Sequence, residues 1–179
     1  MTRALPDTLS TARLLLRAPA VEDAPALFQA YTQDPAVCCF MVWTPHRSED
    51  DTRGFTAACV DAWATGQRQP YVIADVASGE AMGMIEVRFL GTTADIGYVL
   101  AQSHWRQGLM SEAMAAVTDA ALDVPGLFRV QATCDIENIA SQRMLEKNGF
   151  QREGRLERYT VHPNISPEPR ACFMYAKCR

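Results

Sequence analysis

The sequence predicts an α/β protein, a mixed sheet with helices on both faces. Two observations lead there. Apolar periodicity yields the element order β-α-α-β-β-β-α-β-α-β-β. Three successive strands are joined only by tight turns, whereas another pair of strands flanks a helix. Tight turns force antiparallel pairing and a strand–helix–strand unit favours a parallel pair, so one sheet holding both is mixed.

Residues 11–17 are a short apolar run with polar flanks, a good first strand. An amphipathic helix over 21–33 follows and stops at Asp34-Pro35. Ser48 with Asp51 three residues later is a capping-box pattern. It opens a helix whose apolar Phe55, Ala58, Cys59, Ala62 and Trp63 recur at helical spacing and which Gly66 ends. Strands are expected at 71–74, 81–90 and 93–100, with turns at Ser78-Gly79 and Gly91-Thr92. In residues 108–123 Met110, Ala113, Met114, Val117 and Ala121 fall on one helical face, and Pro125-Gly126 terminates the helix. A strand over 129–134 leads to a helix over 138–148 with Gly149 at C′. Strands near 151–161 and 171–177 close the chain, separated by a proline-bearing loop from His162 to Arg170.

At 179 residues, 48% apolar and 21% charged, the chain fits one globular domain over 1–179 with a core that needs no staples. A net charge of -4 argues against nucleic acid as a general partner. No apolar run is long enough for a signal peptide or a membrane span, so no membrane is implied and a cytoplasmic location is expected. The six cysteines (Cys38, Cys39, Cys59, Cys134, Cys172 and Cys178) include no C-x-x-C pair. They read as reduced thiols, and no metal is expected. Neither H-E-x-x-H nor G-x-S-x-G occurs, and the glycine motifs of nucleotide binders are missing, which disfavours those enzyme classes.

Two segments carry chemistry. In the first, the strand ending Gly97-Tyr98-Val99-Leu100 passes through a short loop into a helix that starts just after Gly108. Free N–H groups and the positive dipole end at a helix start make an anion site, and glycine lets the backbone approach a phosphate. In the second, Asn138, Ser141 and Leu145 share a helix face, placing two polar groups where a core-facing helix prefers aliphatics. Each segment alone also fits a bland reading, a plain loop–helix joint and an ordinary asparagine N-cap.

Together, in this order and spacing, they resemble the GNAT N-acetyltransferase superfamily, in particular the RimJ/RimL-like branch of ribosomal-protein N-terminal acetyltransferases. The resemblance begins at residues 11–17, continues through Ile96 to Leu100 and is strongest at Asn138 to Phe150. It implies a GNAT fold: a mostly antiparallel sheet of about seven strands, flanked by about four helices, with one splayed parallel pair. It implies an enzyme that transfers acetyl from acetyl-CoA to a primary amine by direct attack on the thioester. The amine would belong to a peptide N-terminus or a small molecule. An antibiotic or polyamine acetyltransferase and a silent coenzyme-A sensor are the alternatives. Homodimers are common among such relatives.

Residue by residue, the resemblance places backbone groups of Val99 and Leu100 on the pantetheine arm. It places the amides of Arg106, Gln107, Gly108, Leu109, Met110 and Ser111 on the pyrophosphate. Asn138 would contact pantetheine and Ser141 would lie near the sulfur. Two departures stand out: Met110 where a small residue is usual, and Leu145 where many relatives carry a tyrosine acid. Ser141 is then the remaining side-chain candidate for the acid, directly or through water, and catalysis without a dedicated acid is the alternative. Asp95 is the first choice of base and Glu86 the second, acting through water because a carboxylate pKa of about 4 lies far from that of an amine. Trp43 to Arg47 and the loop from His162 correspond to the acceptor pocket, with His46 and His162 as candidate contacts.

Overall fold

The computed structural model describes residues 5–66 and 68–179. Its frame is an eight-stranded sheet in the order β1-β2-β3-β4-β5-β6-β8-β7. The strands are β1 (Thr8–Ser10), β2 (Leu14–Arg17), β3 (Arg68–Asp75), β4 (Ala81–Leu90), β5 (Thr93–Leu100), β6 (Arg129–Asp135), β7 (Gln151–Val161) and β8 (Pro169–Cys178). Every neighbouring pair is antiparallel except β5 and β6, which are parallel. The α-helices are α1 (Ala24–Leu27), α2 (Pro35–Cys38), α3 (Glu49–Thr65), α4 (Leu109–Asp123) and α5 (Ile139–Lys147).

Local chemistry explains most boundaries. Ser48 Oγ accepts from the Asp51 amide while Asp51 Oδ2 accepts from the Ser48 amide, a reciprocal cap for α3. Gly66 ends that helix with φ at 68°, a conformation glycine adopts without a steric cost. The strands expected at 81–90, 93–100 and 151–161 have those bounds.

Three features differ from the expectation. The first strand is split: Thr11 turns back onto Leu14, leaving β1 as an added edge strand and giving eight strands. The helix over 21–33 is a relay of 3-10, α and π turns, entered through Pro25. The Asp34-Pro35 stop is also a start, because Asp34 Oδ1 caps the single turn of α2.

The sheet carries a core on each face. On one, β-strand residues such as Ile73, Ile85, Val87 and Ile96 pack against Leu109, Ala113, Met114 and Val117 of α4 and Leu145 of α5. On the other, Val72 and Met84 pack against Leu27, Tyr31, Val37 and Cys59 from the N-terminal helices. No helix among the described residues is long and apolar enough to cross a membrane.

Candidate active site

The parallel pair opens. β5 and β6 are joined at Thr93–Arg129, Ala94–Val130 and Asp95–Gln131, and their ladder ends there. Each arm stays paired on its other side, β5 with β4 as far as Leu100 and β6 with β8 as far as Asp135. The result is a cleft lined by two rows of backbone donors and acceptors, which need partners.

Ladder parity decides which groups face it. The Ala101 amide bonds the Met82 carbonyl at 2.8 Å, continuing the β4–β5 register. In an antiparallel ladder hydrogen-bonded positions alternate, so the backbone of Val99 faces β4 while that of Tyr98 and Leu100 faces the cleft. On the other arm the Ile136 amide bonds the Ala171 carbonyl, which by the same alternation turns Thr133 and Asp135 toward the cleft. The Leu100 carbonyl is covered by the indole N–H of Trp105 at 2.8 Å. Of the two predicted backbone contacts, Leu100 therefore keeps its amide for the cleft and Val99 does not. That the backbones of Tyr98 and Thr133 face the cleft is not legible in the sequence alone, because strand parity depends on pairing.

Beyond β5 a short loop leads into the start of α4, as expected. Arg106 and Gly108 both have positive φ, 62° and 77°, and Gly108 caps α4 without any side-chain hydrogen bond. Alternating left- and right-handed residues converge their amides into a concave nest, and the first helical turn adds free N–H groups. The Met110 side chain is half-buried against the main core, while its amide stays in the first turn. Ser111 contributes its amide too, but its hydroxyl accepts from Asn148 at 2.9 Å and ties α4 to α5. Arg13, which carried no local signal, holds the loop. Its guanidinium donates to the Gln107 carbonyl at 3.0 Å and to Glu112 at 2.7 Å. Burial alone would raise the Glu112 carboxyl, but hydrogen bonds from Thr11 and Arg13 hold it below the ordinary value.

Across the cleft, Asn138 caps α5: its Oδ1 accepts from the Ser141 amide at 3.1 Å. The capping reading of that asparagine is real, and its Nδ2 is without a partner among the described residues. Ser141 is buried, and its hydroxyl hydrogen-bonds the hydroxyl of Tyr98. It also reaches the Cys134 thiol, which burial pushes up to about 11. Leu145, one turn on, is sealed in the core.

The two carboxylates lie on the opposite face of the sheet from Ser141. Alternation along β4 and β5 puts Glu86 with Met84, and Asp95 with Val99, toward the N-terminal helices. Both acids are engaged. Asp95 accepts from Arg88 at 2.6 and 3.1 Å, and Glu86 sits 3.5 Å from Arg88 and 3.7 Å from Arg68.

The far end of this face holds a second polar cluster. Asp135 accepts from Arg170 at 2.6 and 3.2 Å and from the Glu137 amide at 2.9 Å. His162 is buried 3.7 Å from Asp135, and its Nδ1 has no partner. Asn164 straps this loop to the carbonyls of Cys38 and Trp43. The two predicted acceptor segments thus meet. His46 is a cross-link, its Nδ1 2.7 Å from the Thr52 hydroxyl.

Sequence and structure comparisons bear on this arrangement. Residues 13–151 match the family model described as an acetyltransferase (GNAT) domain. An uncharacterized N-acetyltransferase of Bacillus licheniformis is 33% identical over 156 residues, 86% of this chain and 87% of that protein. The ribosomal-protein-serine acetyltransferase of Escherichia coli is 32% identical over 114 residues, 62% of this chain and 63% of that one. The solved structure of RimL, a ribosomal-protein α-N acetyltransferase in complex with coenzyme A, shares the fold with a TM-score of 0.85. Its identity is 24%, with 96% of this chain and 97% of that chain covered. A β5–β6 pair that opens just before an uncapped helix start thus coincides with a family match over most of the chain: the protein belongs to the GNAT acetyltransferases and is an acetyl-CoA-dependent N-acetyltransferase.

Proposed function

We propose that the acceptor is an α-amino group at a protein or peptide N-terminus, and that one domain carries the whole reaction. The observation that supports it is the state of the two carboxylates. Asp95 and Glu86 face the acceptor side already engaged by Arg88 and Arg68. Taking a proton directly would cost one of them its guanidinium contacts. An α-amine with a pKa near 8 is about one-tenth free at neutral pH, whereas a lysine amine near 10.4 is free to less than about one part in a thousand and needs a strong base. A site with tethered acids therefore suits the α-amine, with Asp95, or Glu86 as second choice, receiving the proton through water. The similarity to the ribosomal-protein-serine acetyltransferase points the same way.

On this reading the amides of Arg106 to Ser111 hold the pyrophosphate, and Asn138 Nδ2 meets the pantetheine. The Leu100 amide, with the neighbouring Tyr98 backbone, receives the thioester oxygen as charge develops on it. Ser141 protonates the departing sulfur. The residues present fit that substrate: an uncapped helix start and an unpaired strand edge both require donors and acceptors from outside.

The test is thiol release from acetyl-CoA with a panel of acceptors. Peptides with free N-termini should turn over at least about tenfold faster than the same peptides blocked at the N-terminus but carrying lysine. Faster turnover of polyamines or aminoglycosides would replace the N-terminal reading with the small-molecule one.

A further inference from the structure

We propose that Tyr98 is the proton supplier behind Ser141: its hydroxyl donates to Ser141 Oγ and aims the serine's own proton into the cleft at the leaving sulfur. The inference rests on the reading of Ser141 as the acid. Tyr98 comes from the β5 arm and Ser141 from the first turn of α5, just past the β6 arm, so their hydrogen bond spans the cleft. A serine hydroxyl has one proton. With Tyr98 as donor, that proton is released for another acceptor.

No other group is placed to do this among the described residues. Asp95 and Glu86 lie on the other face with their arginines. Leu145 has no proton to give, and the Tyr175 hydroxyl is spent on Glu146 at 2.9 Å. The Cys134 thiol is within reach of Ser141 but is a poor donor. Burial raises the Tyr98 phenol, so it carries its proton throughout the neutral range.

The step balances. The nitrogen–carbon bond forms and the carbon–sulfur bond breaks. Ser141 passes its proton to the departing sulfur while Oγ takes the proton of Tyr98. The proton shed by the attacking nitrogen passes through water to Asp95, or to Glu86, and is then released to solvent, from which Tyr98 regains one. The net change is one proton moved from nitrogen to sulfur, with both hydroxyls restored. Tyr98 is thus a positioning residue acting through Ser141.

Single-turnover acetyl transfer should be measured for the wild type, Tyr98→Phe, Ser141→Ala and the double variant. A general acid contributes roughly 10²–10⁴-fold, and Tyr98→Phe should lose about tenfold or more of that while KM for acetyl-CoA stays within about twofold. The double variant should be no slower than Ser141→Ala alone. Fluorinated tyrosines at position 98 keep the shape and alter phenol acidity, so their rates should track acidity even if Tyr98→Phe folds poorly. A flat fluorotyrosine series, or Tyr98→Phe at the wild-type rate beside a slow Ser141→Ala, overturns the role of Tyr98 alone. A Ser141→Ala variant at the wild-type rate overturns the reading of Ser141 on which it rests, whatever the acceptor.

Discussion

Gly83 shows how tightly single residues control the cleft. A Cβ added there would collide with the Val99 carbonyl oxygen and stand 3.0 Å from the Leu100 Cα. These are backbone atoms of the β5 arm and cannot rotate away. Gly83→Ala should therefore push that arm, costing about 1–3 kcal/mol. It should lower the melting temperature by roughly 2–4 °C per kcal/mol, as a thermal melt would show. Acetyl-CoA affinity should fall with it, because Leu100 carries a cleft-facing amide. An unchanged melt and affinity would mean the arm tolerates the shift. Local spacing alone brings Leu100, Gly108 and Ser141, all named from the sequence, to a strand end or a helix start. Nothing near Tyr98 in the sequence shows the partner of its hydroxyl, which is 43 residues away.

Among the elements, the end of β6 is the most loaded. Asp135 has its side chain fully buried between Arg170, the Glu137 amide and His162. Burial alone would raise its carboxyl, but the Arg170 hydrogen bonds and the amide hold it below the ordinary value. A carboxyl lowered on folding stabilises the protein above its unfolded pKa, about 3.9, and that share is lost as pH falls through the lower folded value. Denaturant melts between neutral pH and pH ~3 should show a loss in the wild type that Asp135→Asn flattens. A parallel fall in both proteins would assign the acid sensitivity to other carboxylates. The β7–β8 loop that carries His162 also straps the α2–α3 segment through Asn164. Loosening that strap by Asn164→Ala should raise the acceptor's KM more than that of acetyl-CoA, read from initial rates with each substrate varied. An equal rise in both would place the strap outside the acceptor pocket.

At the scale of the molecule, acetyl-CoA should act as a bridge between two half-sheets joined by only three parallel pairs. Ligand at about 100 times its Kd stabilises by about 2.7 kcal/mol, a rise of several degrees in melting temperature. Hydrogen exchange should slow at the 96–100 and 132–135 arms and at the start of α4. Protection confined to other regions would relocate the cofactor site.

What the sequence determined by itself is local. Periodicity, caps and turn glycines specify the elements, their order and the mixed sheet, and motif spacing specifies the family. These depend on residues a few positions apart. Tertiary structure alone decided which backbone groups face the cleft, that Arg13 clamps the loop before α4 from 94 residues away, and that Asp95 and Glu86 are held by arginines. It also decided that Ser141 meets a tyrosine from the opposite arm. Strand parity and long-range ion pairs arise only when distant segments are brought into register, and no local pattern encodes the register between a strand and its non-sequential neighbour.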